Sequence, residues 1–151
     1  MSNHQKLRWG IISTAKIARE KMIPALQASS HNEVYAIASR SQEQADAFAK
    51  KTNIPNAYGD YEQLLNDPNI DVIYNPLPNH LHVPWTMKAM AAGKHVLCEK
   101  PIGLDVSEVE KLIAATQQYP NLKVMEAFMY RFHPQWALAK QLIADGEIGK
   151  G

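Results

Sequence analysis

Short apolar runs alternate along this chain with longer stretches in which apolar residues recur at helical spacing. The runs predict strands at Leu7–Ile12, Glu33–Ala38, Asp71–Asn75, His95–Cys98 and Leu122–Glu126, with a short one near Ala57-Tyr58. Between the first two, Ala15, Ala18, Met22 and Ala25 fall on one helical face, and Pro24 is expected to kink or restart that helix. Ser41 with Gln44, Asp60 with Gln63 and Asp105 with Glu108 each have the N-cap-to-N3 spacing of a capping box. From Asp105 onward, Val106, Val109, Leu112, Ile113 and Thr116 give a clear apolar stripe. Further helices are expected from about His82 to Ala92 and from about Pro134 to Asp145. Such a β-α-β-α alternation implies parallel strands with helices on both faces, an α/β doubly wound sheet.

Length and composition narrow the function without naming it. The 151 residues suit one domain with a single real core. Sixteen basic and fifteen acidic residues leave a net charge of +1, so no overall field favours nucleic acid or an anionic membrane. The single cysteine, Cys98, rules out an internal disulfide framework and suits a reducing compartment. The start Met-Ser-Asn-His-Gln-Lys lacks the apolar core of a secretory signal, and no apolar run approaches the length of a membrane span. A cytoplasmic location is the expectation.

Candidate chemistry gathers where strands end. After the first strand come Ile12, Ser13, Thr14, Ala15, Lys16, Ile17 and Ala18. A dinucleotide turn wants three glycines here, for a tight turn, close approach to a pyrophosphate and tight helix packing. Ser13, Ala15 and Ala18 hold those places; none is glycine, but all are small. Free N–H groups at the helix start would attract phosphate, helped by the Ser13 and Thr14 hydroxyls. The same residues also suit an ordinary strand-to-helix turn.

After the second strand, Ser39 lies 21 residues past Ala18, where an acidic residue would select a free ribose 2′-hydroxyl. It is not acidic, and Arg40 beside it could pair with a 2′-phosphate and stack on adenine. A dinucleotide bound here would therefore be NADP(H) rather than NAD(H); otherwise Arg40 is a solvated loop residue. Asn75-Pro76-Leu77-Pro78-Asn79 forms a stiff ledge after the fourth strand, suited to a cofactor ribose or nicotinamide, although Asn79 could instead cap the next helix. His80 and His82 have no Cys or carboxylate cluster nearby to complete a metal site, so no metal is expected. Lys100 follows the His95–Cys98 strand, at the edge where open α/β sheets bind ligands.

Together, Trp9–Ala18, Tyr74–His82, Gly93–Pro101 (Gly-Lys-His-Val-Leu-Cys-Glu-Lys-Pro) and Met125–Pro134 resemble the Gfo/Idh/MocA oxidoreductases, in order and at the family's spacing. The last segment looks most like the branch of NADP-using sugar and dihydrodiol dehydrogenases. The resemblance implies a Rossmann-type nucleotide-binding domain at 7–130, after a tail at 1–6. It also implies that residues 131–151 begin the connection to a second α/β domain, absent here, that carries substrate-pocket and oligomer contacts.

By that pattern Lys100 is the catalytic lysine beside the reacting carbinol, and Glu99 orients it or touches the cofactor. Leu77, Pro78, Asn79 and His82 join the cofactor site, with Arg131 contacting cofactor or substrate or pinning its own segment. The resemblance implies a hydride exchange between a sugar, polyol or similar carbinol and NADP, in a homo-oligomeric parent. This chain is then the cofactor-binding half of such an enzyme, inactive alone and more simply a fragment than a shortened relative. The alternative is a nucleotide-binding sensor or shortened non-catalytic relative. Tyr130, Phe132 and Trp136 suit interdomain packing better than a ligand cage.

Overall fold

In the computed structural model, which describes residues 6–149, six strands form one parallel sheet. They are β1 (Leu7–Ile12), β2 (Asn32–Ala38), β3 (Asn56–Tyr58), β4 (Val72–Asn75), β5 (His95–Cys98) and β6 (Val124–Glu126). Their order is β3-β2-β1-β4-β5-β6, and every neighbouring pair is parallel. This is the doubly wound order in which chain connections diverge at β1 and β4. The sheet bears out the expected class. The tail expected at 1–6 lies outside the described residues except for Lys6.

Among the described residues are six helices: α1 (Ile23–Ala28), α2 (Gln42–Thr52), α3 (Tyr61–Asn66), α4 (His82–Ala91) and α5 (Val106–Gln118), whose residues join the core, and α6 (Pro134–Ala144). Alternation along the strands divides the core in two. Ile11, Ile37 and Tyr74 pack with Ala18, Ile23 and Leu26 before and within α1, and with Phe48 and Ala49 of α2. Ile12, Ala38, Ile73, Val96 and Cys98 pack on the other face with Leu64, Met90 and Leu112 of α3, α4 and α5. The register of β1 on β2 slips between Trp9 and Gly10. Consequently Tyr35 and Ala36, adjacent in sequence, serve the same core.

Local chemistry explains the element boundaries. Ser41, Asp60 and Asp105 accept backbone N–H groups at the starts of α2, α3 and α5, as their spacing predicts. Glu108 reaches back to Leu104 N (2.8 Å), one residue before the cap. Pro24 sits in the first turn of α1, and the chain before it widens into a π-helical turn, Ala18–Met22, with Ile23 N donating to Ala18 O. Of the apolar stripe on α5 only part turns inward: Leu112 is buried, with Ala115 beside it, but Val106 is 73% exposed and Ile113 53%. The helix rests beside α4 on the Leu112-Ala115-Tyr119 spacing, which turns Val106 and Ile113 outward. No residue of α6 is buried.

A polar network below the sheet ties the loop before β4 to the entry of β5. Lys94, only 6% exposed, donates to Asp67 O (2.7 Å) and Ile70 O (2.8 Å). Asp67 Oδ2 accepts from Tyr58 (2.7 Å), and Oδ1 accepts from Asn69 N (2.8 Å) and Nδ2 (3.0 Å). Burial alone would raise the Asp67 carboxyl. The Tyr58 and Asn69 hydrogen bonds, with the Lys94 charge, hold it below its ordinary value. Burial and the Asp67 carboxylate push Tyr58 up to about 12.

An unfolded aspartate titrates near about 4, so the stability from Asp67 is complete above that pH and is lost as pH falls through its lower folded value. Asp67→Asn should therefore be less stable at neutral pH, with the gap from wild type closing in acid. Urea unfolding from pH 3 to 7 checks it; a constant gap would contradict the assignment.

Candidate nucleotide-binding site

Parallel strands bring all their carboxyl ends to one edge, and each turn there is stitched to its neighbour. Ser13 N donates to Ala38 O (2.8 Å), Ser39 N to Tyr58 O (3.0 Å), Glu99 N to Asn75 O (3.0 Å) and Ala127 N to Cys98 O (2.7 Å). The first of these turns forces Ser13 to φ 76°, the left-handed region a glycine adopts freely. Ser13 thus does the conformational work that the glycine fingerprint assigns to its first position.

A cleft of about 280 Å³, lined by both polar and apolar side chains, opens at the β1/β4 divergence. Ser13, Thr14 and Ala15 line it after β1, Ser39 and Arg40 after β2, and Leu77 and Pro78 after β4. Seven residues expected in the site from three separate segments therefore meet in one hollow. Gln44, Tyr61 and Leu81 line it too, although sequence reasoning did not place them there. In the sequence Gln44 stands out only by its capping spacing from Ser41. Its side chain accepts the Ser39 Oγ–H at 3.2 Å.

The ledge after β4 is built by Asn75, which is 1% exposed. Its Oδ1 accepts Leu77 N (3.3 Å), and its amide donates to His82 O (3.1 Å) and Thr86 Oγ1 (3.3 Å). Asn79 is exposed outside the cleft lining, and α4 has no side-chain cap.

Other expected site residues take different positions. Ile12 is wholly buried, so only its backbone reaches the turn. Lys16 projects into solvent 4.0 Å from Glu20. His82, expected at the cofactor, is 1% exposed, because its ring is enclosed between two loops. Its Nδ1 lies 2.6 Å from Pro101 O and its Nε2 2.7 Å from Leu77 O. The imidazole thus links the ledge after β4 to the Glu-Lys-Pro turn rather than reaching into the cleft.

Ile17 and Glu99 line a second, apolar recess of about 340 Å³ on the α1 side of the sheet, with Met22, Leu97, Met125 and Phe128. There Tyr74 donates its hydroxyl to Glu99 Oε1 (2.7 Å), while Glu99 Oε2 accepts Lys100 N (3.3 Å). Burial, with the Glu99 carboxylate beside it, raises the Tyr74 phenol and keeps it a donor. Lys100 stands exposed at the end of this chain of contacts, and Arg131 is exposed in a short 3-10 turn, Met129–Phe132. Neither lines the cleft or the recess.

A dinucleotide fits the donor set. Small residues surround a tight turn, hydroxyls and backbone N–H groups follow it, and Arg40 makes no ion pair among the described residues.

Comparison with known proteins places the chain among oxidoreductases. The chain is 49% identical over 144 residues to an uncharacterised oxidoreductase of Rhizobium meliloti, and 46% identical over 143 residues to D-xylose 1-dehydrogenase (NADP(+)) 2 of Haloferax volcanii. Each alignment takes in 95% of this chain and 43% of the relative, so the chain spans less than half the length of these relatives. A 3-ketoreductase from Actinomadura kijaniata, solved with NADP and TDP-benzene, superposes with a TM-score of 0.88 at 38% identity, over 96% of this chain and 45% of that one. The model for an oxidoreductase family with an NAD-binding Rossmann fold matches residues 7–128, and the chain belongs to that family, Gfo/Idh/MocA.

Proposed function

We propose that this chain is the cofactor-binding half of an NADP-dependent dehydrogenase acting on a sugar, polyol or related carbinol. The observation that carries the reading is the convergence of Ser13–Ala15, Ser39–Arg40 and Leu77–Pro78 on one cleft at the β1/β4 divergence. The D-xylose dehydrogenase and 3-ketoreductase relatives, both linked with NADP by name or in their solved complex, support the cofactor and substrate class.

In this reading, the Ser13–Ala15 turn meets the pyrophosphate through backbone N–H groups and hydroxyls. Arg40 pairs with the adenosine 2′-phosphate, and the absence of a carboxylate at Ser39 removes the repulsion that would exclude it. Leu77, Pro78 and Leu81 give the cleft its apolar wall. When bound, the nicotinamide supplies the hydride acceptor or donor. Lys100 donates a hydrogen bond to the carbinol oxygen, orienting it and favouring alkoxide character as the C–H bond breaks. Glu99 holds the Lys100 backbone, and Tyr74 holds Glu99. Residues 7–130 form the nucleotide domain, and 131–151 begin the passage to the part that completes the substrate pocket.

The test is a fluorescence titration of the purified chain with NADPH and NADH. Binding of NADPH about tenfold or more tighter, the scale of one charge-assisted contact, is expected. Equal affinity or a preference for NADH would overturn the cofactor assignment.

A further inference from the structure

One wall of the nucleotide cleft comes from a residue outside the strand-end turns. Tyr61 opens α3, whose start is fixed by Asp60 accepting the amides of Glu62 and Gln63. Behind its ring stands Trp85 of α4, edge to face, with centroids 5.1 Å apart and planes at 87°. The ring is therefore buttressed from α4 while lining the same cleft as Ser39, Arg40 and Gln44.

The donors and acceptors on this wall do not balance. Ser39 Oγ donates to Gln44 Oε1, so these two groups answer each other. Arg40 has no carboxylate partner among the described residues, and no protein acceptor there takes the Tyr61 hydroxyl. The two line the same cleft; burial raises the Tyr61 phenol, and the Arg40 charge opposes that rise. Two donors on this cleft without a protein acceptor suit an oxyanion brought by the ligand, since a phosphate offers several acceptor oxygens to converging N–H and O–H groups.

We infer that Tyr61 is a specificity-determining residue of this site, its hydroxyl donating to the same ligand phosphate that Arg40 pairs with. The inference rests on the cofactor reading above and adds a residue on a separate element to the recognition of the 2′-phosphate. A guanidinium alone would attract any anion. A phenol fixed by Trp85 adds a directed hydrogen bond, which favours a phosphate at one place on the ribose.

Calorimetry with 2′,5′-ADP, 5′-AMP, NADPH and NADH tests it on the wild-type chain, Tyr61→Phe and Tyr61→Leu. Tyr61→Phe keeps the ring against Trp85 and removes only the hydroxyl. It should weaken 2′,5′-ADP and NADPH about tenfold while leaving 5′-AMP and NADH within about twofold. Tyr61→Leu should show at least the same phosphate-selective loss. In an Arg40→Met background, the further effect of Tyr61→Phe should shrink, because the phosphate is no longer drawn to that wall.

Unchanged NADPH affinity in Tyr61→Phe would overturn the inference. So would equal losses for NADPH and NADH, which would make the residue a packing surface for adenine. A wild-type chain that binds none of the four ligands would overturn the cofactor reading itself, and this inference with it.

Discussion

Lys100→Ala, introduced into a full-length protein carrying this domain, is expected to lower turnover by about 10²–10⁴-fold, the range of a positioned acid–base group. NADPH affinity should change by less than about threefold, because Lys100 lies outside the cleft proposed for the nucleotide, which Arg40 and the Ser13 turn line. The split follows from the architecture. The cleft is assembled after β1, β2 and β4, whereas Lys100 follows β5, one strand further along the same edge. Its backbone is held by Glu99, which is held by Tyr74. An interaction made only as the carbinol reacts appears in kcat, and one made equally in the bound ground state appears in affinity. Steady-state kinetics with a parallel NADPH titration separates the two. Unchanged turnover would remove Lys100 from the chemistry, and a large loss of affinity with kcat intact would make it a cofactor ligand.

Lys94→Met should destabilise the fold by about 3–5 kcal/mol, a large share of the roughly 5–15 kcal/mol that holds a domain together. Lys94 is buried, and its ammonium has as acceptors the carbonyls of Asp67 and Ile70. Burial pulls the Lys94 ammonium below its ordinary value, with the Asp67 and Asp71 charges opposing that pull. Methionine matches the length of the stem but donates nothing, leaving two carbonyls without their charged donor. It also removes a positive charge that helps keep Asp67 ionised. Urea unfolding at neutral pH measures the loss through the midpoint at constant m. A change below about 1 kcal/mol would show that water replaces the ammonium at little cost.

Most of the sheet was legible because each strand is a short apolar run closed by a turn or cap residue. β1 and β5 have the predicted bounds, and β2, β4 and β6 differ by only one or two residues at their starts. The exposed sides of α5 were not legible, because Val106 and Ile113 satisfy a helical period as well as Leu112 and Ala115 do. Only the position of α4 and the sheet decides which face turns inward.

The strand-end turns were readable for a related reason: parallel topology sends every one of them to the same edge. Tyr61 and Leu81 join from a helix start and a short 3-10 turn, so their presence depends on how α3 and the ledge pack, which no local spacing encodes. His82 illustrates the reverse. The family resemblance implied a cofactor contact for it, and the fold encloses the ring between the carbonyls of Leu77 and Pro101.

The left-handed Ser13 also has a kinetic meaning. A glycine at that turn would wander between both signs of φ when no ligand is present, and each encounter would have to wait for the receptive shape. A serine has fewer backbone shapes than a glycine, and its amide, donated to Ala38 O, holds it in the left-handed one against the cost of its Cβ. Association at this turn should resemble a key entering a finished lock, with a single-step rate proportional to ligand concentration and no slower rearrangement after contact.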